Sequence, residues 1–345
     1  MYTIQTEIFT QPSALMQTQA LFQEKHDQIY EFITKPYQNI IFIGCGSGFM
    51  LSEGAAAMFS MYTDKKAVAI SGGEIILSPD KYCKLIANSL VIIASRSGET
   101  SEVLFALEKM RELTTFKTMG IIAKTDCSLK PYLDFTLEIP WAFDHSICQT
   151  RTISNIYYSL SMLLAIYLKN KQLETSFQMF FGNQLEFLEE HKKKCQEIAQ
   201  REWNNVTVLG DGEISGIASE GSLAFTEICI LPGEYFNILD YRHGPIVLAD
   251  EKKLFLILVN PNENNYQKQM IKDIKNRGSY VITLGHQTSD YWESDYHVSL
   301  SAIENSITWG IPFINICQML AFYKALVNDH NPDIPGGLNP YISLK

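Results

Sequence analysis

Two stretches lying 166 positions apart follow one pattern. Asn39-Ile40-Ile41-Phe42-Ile43-Gly44-Cys45-Gly46 and Asn205-Val206-Thr207-Val208-Leu209-Gly210-Asp211-Gly212 each pair a short apolar run with a glycine turn, and each leads into a helical stretch. At nearly the same spacing Val91 to Ala94 is matched by Leu256 to Val259, Gly120 to Ala123 by Val281 to Leu284, and Phe135 to Ile139 by Tyr296 to Leu300. Four elements repeated in one order at a near-constant offset mark a duplication. Apolar runs of four to six residues separated by helical stretches read as strands buried on both faces of a parallel sheet, with right-handed crossovers. The chain is therefore expected to be α/β, with two doubly wound parallel-sheet domains. Its 345 residues suffice for two cores. The expected division is a helical segment over 1–34 with one helix at Ser13 to Phe32, a first domain over 35–180, a second over 181–330, and a tail over 331–345. Two long helices, Ser154 to Leu168 and Leu185 to Ile198, are expected at the seam.

One junction of strand and helix carries more than structure requires. Ser95-Arg96-Ser97-Gly98-Glu99-Thr100 follows the run Leu90 to Ala94 and precedes a helical pattern of Val103, Leu107 and Met110. Unbonded N–H groups and the positive dipole end of a helix favour an anion there, and hydroxyls and a guanidinium add donors. A helix cap needs one hydroxyl. This run offers three and a charge, which points to phosphate.

Composition removes other classes. With 38 acidic against 28 basic residues the formal charge is −10, and the one lysine cluster, Lys192-Lys193-Lys194, follows Glu189-Glu190. Nucleic acid binding needs a basic face that this chain lacks. Its seven cysteines are scattered with no Cys-x-x-Cys pair, against a disulfide frame or a zinc site. Met1 to Gln17 has no basic stretch before its apolar residues, and the run Tyr157 to Leu168 is too short to span a bilayer. The expectation is a cytoplasmic protein with no membrane partner.

Taken together, the Gly44-Cys45-Gly46-Ser47 turn, the Ser95 to Thr100 loop, Glu227 and Asp240-Tyr241-Arg242-His243-Gly244-Pro245 resemble the double sugar-isomerase (SIS) proteins from about residue 35 to the C-terminus. That family includes the isomerase portion of glucosamine-6-phosphate synthase and the fructosamine-6-phosphate deglycases. The resemblance implies two flavodoxin-like SIS domains. It also implies that Ser95, Arg96, Ser97 and Thr100 hold the phosphate of a hexose 6-phosphate, with Ser47 and Gly48 beside the sugar and Gln149 and Thr150 lining the pocket. Glu227 matches the catalytic base. On spacing alone it reads as a solvated helix-surface glutamate; among Ala224, Phe225 and Ile228 it reads as a partly desolvated one suited to proton abstraction. His243 matches the family's ring-opening acid and base, which reaches a neighbouring subunit's site, so a homodimer or higher homo-oligomer with a shared active site is implied.

Two departures separate subfamilies. The synthase's glutaminase uses an N-terminal cysteine, and residue 2 here is Tyr2, so no use of glutamine is expected. The tail Gly336 to Lys345 follows the synthase pattern, but Pro340 occupies the position of the lysine that forms an imine with the ketose. Proline offers no amine, which favours a substrate that brings its own nitrogen. The expected activity is a deglycase or isomerase that converts a fructosamine 6-phosphate into an aldose 6-phosphate and a free amine. This acid-base activity implies no metal and no cofactor. An aldose-ketose isomerase or amino-sugar phosphate deaminase is the first alternative. A sugar-phosphate sensor without turnover is the second.

Overall fold

The computed structural model describes residues 2–262 and 264–344. Met1, Glu263 and Lys345 lie outside the described residues, and with them the outer limits of the 1–34 and 331–345 segments. The chain divides into two compact units, Thr3–Phe181 together with Gly337–Lys345, and Gly182–Gly336. The C-terminal segment is thus split: residues 331–336 fall in the second unit, and those from Gly337 onward are built into the first.

The first unit begins with helices α1 (Thr3–Phe9), α2 (Gln11–Glu24) and α3 (His26–Ile33). It continues through β1 (Ile40–Gly44), α4 (Ser47–Tyr62), β2 (Ala67–Ser71), α5 (Gly72–Leu77), α6 (Pro79–Ile86), β3 (Leu90–Ser95), α7 (Ser101–Leu113), β4 (Lys117–Ile122) and β5 (Phe135–Glu138). Helix α8 (Arg151–Leu168) follows, and the division between units falls within α9 (Lys171–Ala199). The second unit holds β6 (Asn205–Leu209), α10 (Ser215–Cys229), β7 (Gly233–Phe236), β8 (Lys253–Leu258), α11 (Asn264–Lys275), β9 (Tyr280–Gly285), α12 (Ser289–Trp292), β10 (Tyr296–Ser299) and α13 (Gly310–Val327).

Both sheets are parallel. Their orders, β2-β1-β3-β4-β5 and β7-β6-β8-β9-β10, are the same doubly wound arrangement. Each contains a strand that the sequence pattern misses. In β2 only Ile70 is buried, and β7 is half-buried throughout, because both lie at a sheet edge and need no continuous apolar run. The strands read from sequence as third and fourth in each half are consequently fourth and fifth.

Three helices replace the single one expected near the N-terminus. Pro12 lies in the first turn of α2, where its missing N–H costs nothing, and Lys25 ends α2 and starts α3. Helix α2 packs on α8: the Trp141 indole N–H donates to Thr18 Oγ1 (2.8 Å), the Thr18 hydroxyl donates to Asn155 Oδ1 (2.5 Å), and Phe22 meets Tyr158 edge-on.

The N-terminus of α8 is closed by an acidic group. Asp144, fully buried, accepts from the backbone N–H groups of Thr150 (2.8 Å), Arg151 (3.2 Å) and Thr152 (2.8 Å). Its carboxyl is pushed up from 3.8 to about 6, first by burial and then by the charge of Glu7, against those hydrogen bonds.

In the second unit α13 is the most apolar helix. Ser306–Val327 is long and apolar enough to cross a membrane, exceeding the Tyr157 to Leu168 run, but 89% of that window is buried in the protein. Gly221 on α10 lets the two helices approach: a Cβ there would lie 2.8 Å from the Phe313 ring and 2.9 Å from Cys317 Sγ.

Gly221→Ala gains up to about 1 kcal/mol of helix propensity but overpacks a rigid contact at a cost of about 1–3 kcal/mol. A lower denaturation midpoint is expected; an unchanged or higher one would show that α13 yields. Asp144 has a raised folded pKa, so its stabilising contribution is complete below about pH 4 and is lost as pH rises towards 6. Asp144→Asn should remove that component of the fall in unfolding free energy between pH 4 and 6, measured by denaturant titration.

Candidate functional site: a cavity where β1 and β3 diverge

In the first unit β1 connects to β2 on one side while β3 leads away to β4 on the other, so the segments after β1 and β3 part at the carboxyl ends of adjacent strands. The turn after β1 is held close to its own helix. A Cβ on Gly44 would lie 2.4 Å from the carbonyl carbon of Gly48, and Gly46 has φ +53°.

The loop after β3 folds around its own hydroxyls. Ser95 Oγ accepts from the Gly98 N–H (2.9 Å) and Ser97 Oγ from the Glu99 N–H (3.1 Å), which leaves each hydroxyl its own proton to donate. Gly98 has φ +62°, and a Cβ there would sit 2.4 Å from Cys127 Sγ. Its carbonyl accepts from the Leu129 N–H (3.0 Å). Glu99 braces the same neighbouring segment through Lys124 (2.9 Å) and Ser128 (2.6 Å). Burial opposes ionisation of Glu99, but these bonds outweigh it and hold its carboxyl below the usual range. Glu99 is therefore a structural anion.

Arg96 is 5% exposed. Its Nη1 donates to the carbonyls of Ser146 and Ile147, both at 2.9 Å, and its Nη2 to the carbonyl of Pro340 at 2.6 Å. Beside it opens a cavity of about 50 Å³, lined by Gly44, Cys45, Gly48, Ser95, Arg96, Ser97, Thr100, Gln149, Pro340 and the apolar Val103, Ile153 and Ile156. At 10–15 Å³ per water that is room for roughly four waters, the scale of one tetrahedral oxyanion. Burial pushes the Cys45 thiol up, so it lines the cavity as a neutral group.

Of the first-unit residues read from the sequence, Gly48, Ser95, Arg96, Ser97, Thr100 and Gln149 meet at this cavity. Ser47 and Thr150 are not among its lining residues. Ser47 is buried at the start of α4, and Thr150 turns its N–H and hydroxyl to Asp144. The tail adds two contacts the sequence does not announce: the Ser101 N–H at the start of α7 donates to the Ile342 carbonyl (3.2 Å), and the Leu344 N–H donates to Ser101 Oγ (3.0 Å). Two buried acids, Glu7 and Asp144, also stand behind the wall that carries Gln149. Only Asp144 has a local signal, an acid a few residues ahead of a helix start.

The second unit carries Glu227 and His243. Glu227 lies half-buried on α10, next to Ile228, whose side chain points into the core. His243 is exposed between two short 3-10 turns, Asp240–Arg242 and Pro245–Leu248. Its neighbours fix the turn. Tyr241 is buried edge-on against Phe236 and Phe255, Arg242 binds Asp273 Oδ2 (2.7 and 2.9 Å), and the His243 N–H donates to the Asp240 carbonyl (2.9 Å). At the junction that corresponds to the Ser95 to Thr100 loop, Gln267 occupies both backbone groups of Asn260: its Oε1 accepts from the N–H (2.8 Å) and its Nε2 donates to the carbonyl (2.9 Å).

The profile of the SIS domain family matches residues 200–328. Glutamine–fructose-6-phosphate aminotransferase (isomerizing) of Escherichia coli (strain K12) is 24% identical over 368 residues, covering 99% of this chain and 59% of the relative. The chain thus spans about three-fifths of that relative's length. D-galactosamine-6-phosphate deaminase of Shewanella sp. (strain ANA-3) is 26% identical over 325 residues, covering 88% of this chain and 79% of the relative. Among solved structures, tagatose-6-phosphate ketose/aldose isomerase from Escherichia coli shares the fold with a TM-score of 0.86 at 19% identity, over 99% of this chain and 96% of that one. Residues 200–328 of the second unit thus match a SIS domain, and the first unit repeats its strand order.

Proposed function

We propose that this chain is a phosphosugar enzyme of the isomerase and deaminase kind, which moves a proton between C1 and C2 of a hexose 6-phosphate that carries nitrogen. The observation that supports it most is the Arg96 cavity: beside a buried guanidinium, two serine hydroxyls each keep a proton to donate, around a space of phosphoryl size.

Glu227 is the proposed base and His243 the group that assists ring opening. The tail places Pro340 at the cavity through its carbonyl, where the synthases carry an amine, so the nitrogen comes with the substrate. With a 1-amino ketose 6-phosphate, Glu227 takes a proton from C1 and a proton returns to C2. The resulting imine is hydrolysed by water to an aldose 6-phosphate and a free amine. A second reading, deamination of a 2-amino sugar 6-phosphate, is favoured by the galactosamine-6-phosphate deaminase relative, which this chain matches over 79% of its length. It runs the proton shift in the opposite sense and releases ammonia. We further propose that the working form is a homodimer in which His243, exposed on a fixed turn, serves the partner's site.

Ser97→Ala should weaken glucose 6-phosphate binding by about 1.5–3 kcal/mol in calorimetry; unchanged affinity in a folded variant would remove the loop from the site. Glu227→Gln should lower turnover by roughly 10² or more while binding survives. Product analysis separates the readings: an aldose 6-phosphate with an amine supports the deglycase, and a ketose 6-phosphate with ammonia the deaminase. Tight binding of every sugar phosphate without turnover would leave a sensor. Subunits of Glu227→Gln and His243→Ala, mixed with exchange verified by two tags, should recover about a quarter of wild-type activity, because half the dimers are mixed and each has one intact site. No recovery in verified mixed dimers would place both residues in one chain's site.

A further inference from the structure

Arg96 owes its place to a wall segment, 144–152, that is itself pinned from behind by two buried carboxylates. Glu7 on α1 is 2% exposed. Its Oε1 accepts from the N–H groups of His145 (2.5 Å) and Ser146 (3.2 Å), and its Oε2 accepts from the Ser146 hydroxyl. Asp144 gathers the N–H groups of Thr150, Arg151 and Thr152 at the other end. Between these anchors lie the Ser146 and Ile147 carbonyls that receive Arg96 Nη1, and Gln149, which lines the cavity. Two carboxylates out of water and close enough to repel are a costly means of fixing a loop. What they fix is the pair of acceptors that orients a buried guanidinium.

We infer that Glu7 is a positioning residue for phosphate binding: with Asp144 it holds the Ser146–Ile147 carbonyls that aim Arg96 into the cavity, and it touches no ligand itself. The inference rests on the phosphate reading of that cavity. It also assigns a binding role to the first helix of the chain, 89 positions before the arginine it serves.

Calorimetry on the full chain with inorganic phosphate and with glucose 6-phosphate tests it. Glu7→Ala leaves the His145 and Ser146 N–H groups without their acceptor, and should weaken both ligands by about tenfold or more. Glu7→Gln should bind within about twofold of the parent: its amide oxygen accepts the same two N–H groups and its NH₂ donates to Ser146 Oγ, whose proton goes to the Cys148 carbonyl, already 2.9 Å away. Adding Glu7→Ala to Arg96→Ala should cost nothing further, because the two act as one unit. If Glu7→Ala does not fold, Ser146→Ala removes one of the three Glu7 bonds and should weaken binding about threefold. Parent-like affinity in Glu7→Ala or Ser146→Ala, or full additivity with Arg96→Ala, overturns the inference. Where Ser97→Ala and Arg96→Ala bind weakly in the same experiment, the phosphate reading stands without it; where they too bind like the parent, that reading falls and the inference with it.

Discussion

The Arg96 guanidinium is the interaction on which the first unit's functional end depends. A buried cation must be given acceptors, or the segment carrying it will not stay buried. Here the acceptors are backbone carbonyls from two distant places, Ser146–Ile147 and Pro340, so one side chain ties the loop after β3 to the segment before α8 and to the C-terminal tail. Carbonyls carry no net charge. They orient a guanidinium without forming the ion pair that a carboxylate would, as the proposed phosphate site requires. The two nearby carboxylates, Glu7 and Asp144, bond instead to N–H groups and a hydroxyl of the wall, one layer behind.

The duplicated units show what turns this fold from scaffold into site. Both have the same strand order, and both have a loop leaving the strand next to the first. In the first unit that loop encloses its own serines and leaves a cavity beside them. In the second, the Gln267 amide satisfies the N–H and C=O of Asn260. Side chains pair backbone groups at both junctions; the serine hydroxyls of the first accept and keep a proton to donate, whereas the Gln267 amide of the second spends its oxygen and an N–H on Asn260. The second unit instead holds an acid on a helix and a histidine on a turn stiffened by Tyr241 and the Arg242–Asp273 pair.

The sequence by itself determined what depends on local pattern. Leu90 to Ala94 and Ile40 to Ile43 are buried on both faces, so they read as unbroken apolar runs, and the repeat of such runs fixed a pair of doubly wound parallel sheets. The serines and arginine of the loop after β3 were legible for the same reason: their chemistry lies within six consecutive residues. Tertiary structure decided everything that depends on a distant partner. Edge strands β2 and β7 bury too little to show a run, and the α2–α8 packing rests on contacts such as Thr18 with Asn155, 137 positions apart. Thr150 stands beside Gln149 in sequence but turns to Asp144, and only Gln149 lines the cavity. Glu7 meets Ser146 across 139 positions and Pro340 meets Arg96 across 244, separations over which no periodicity carries information. Each of those contacts exists because a buried charge had to find acceptors or donors in the folded chain, and only folding brings them within reach.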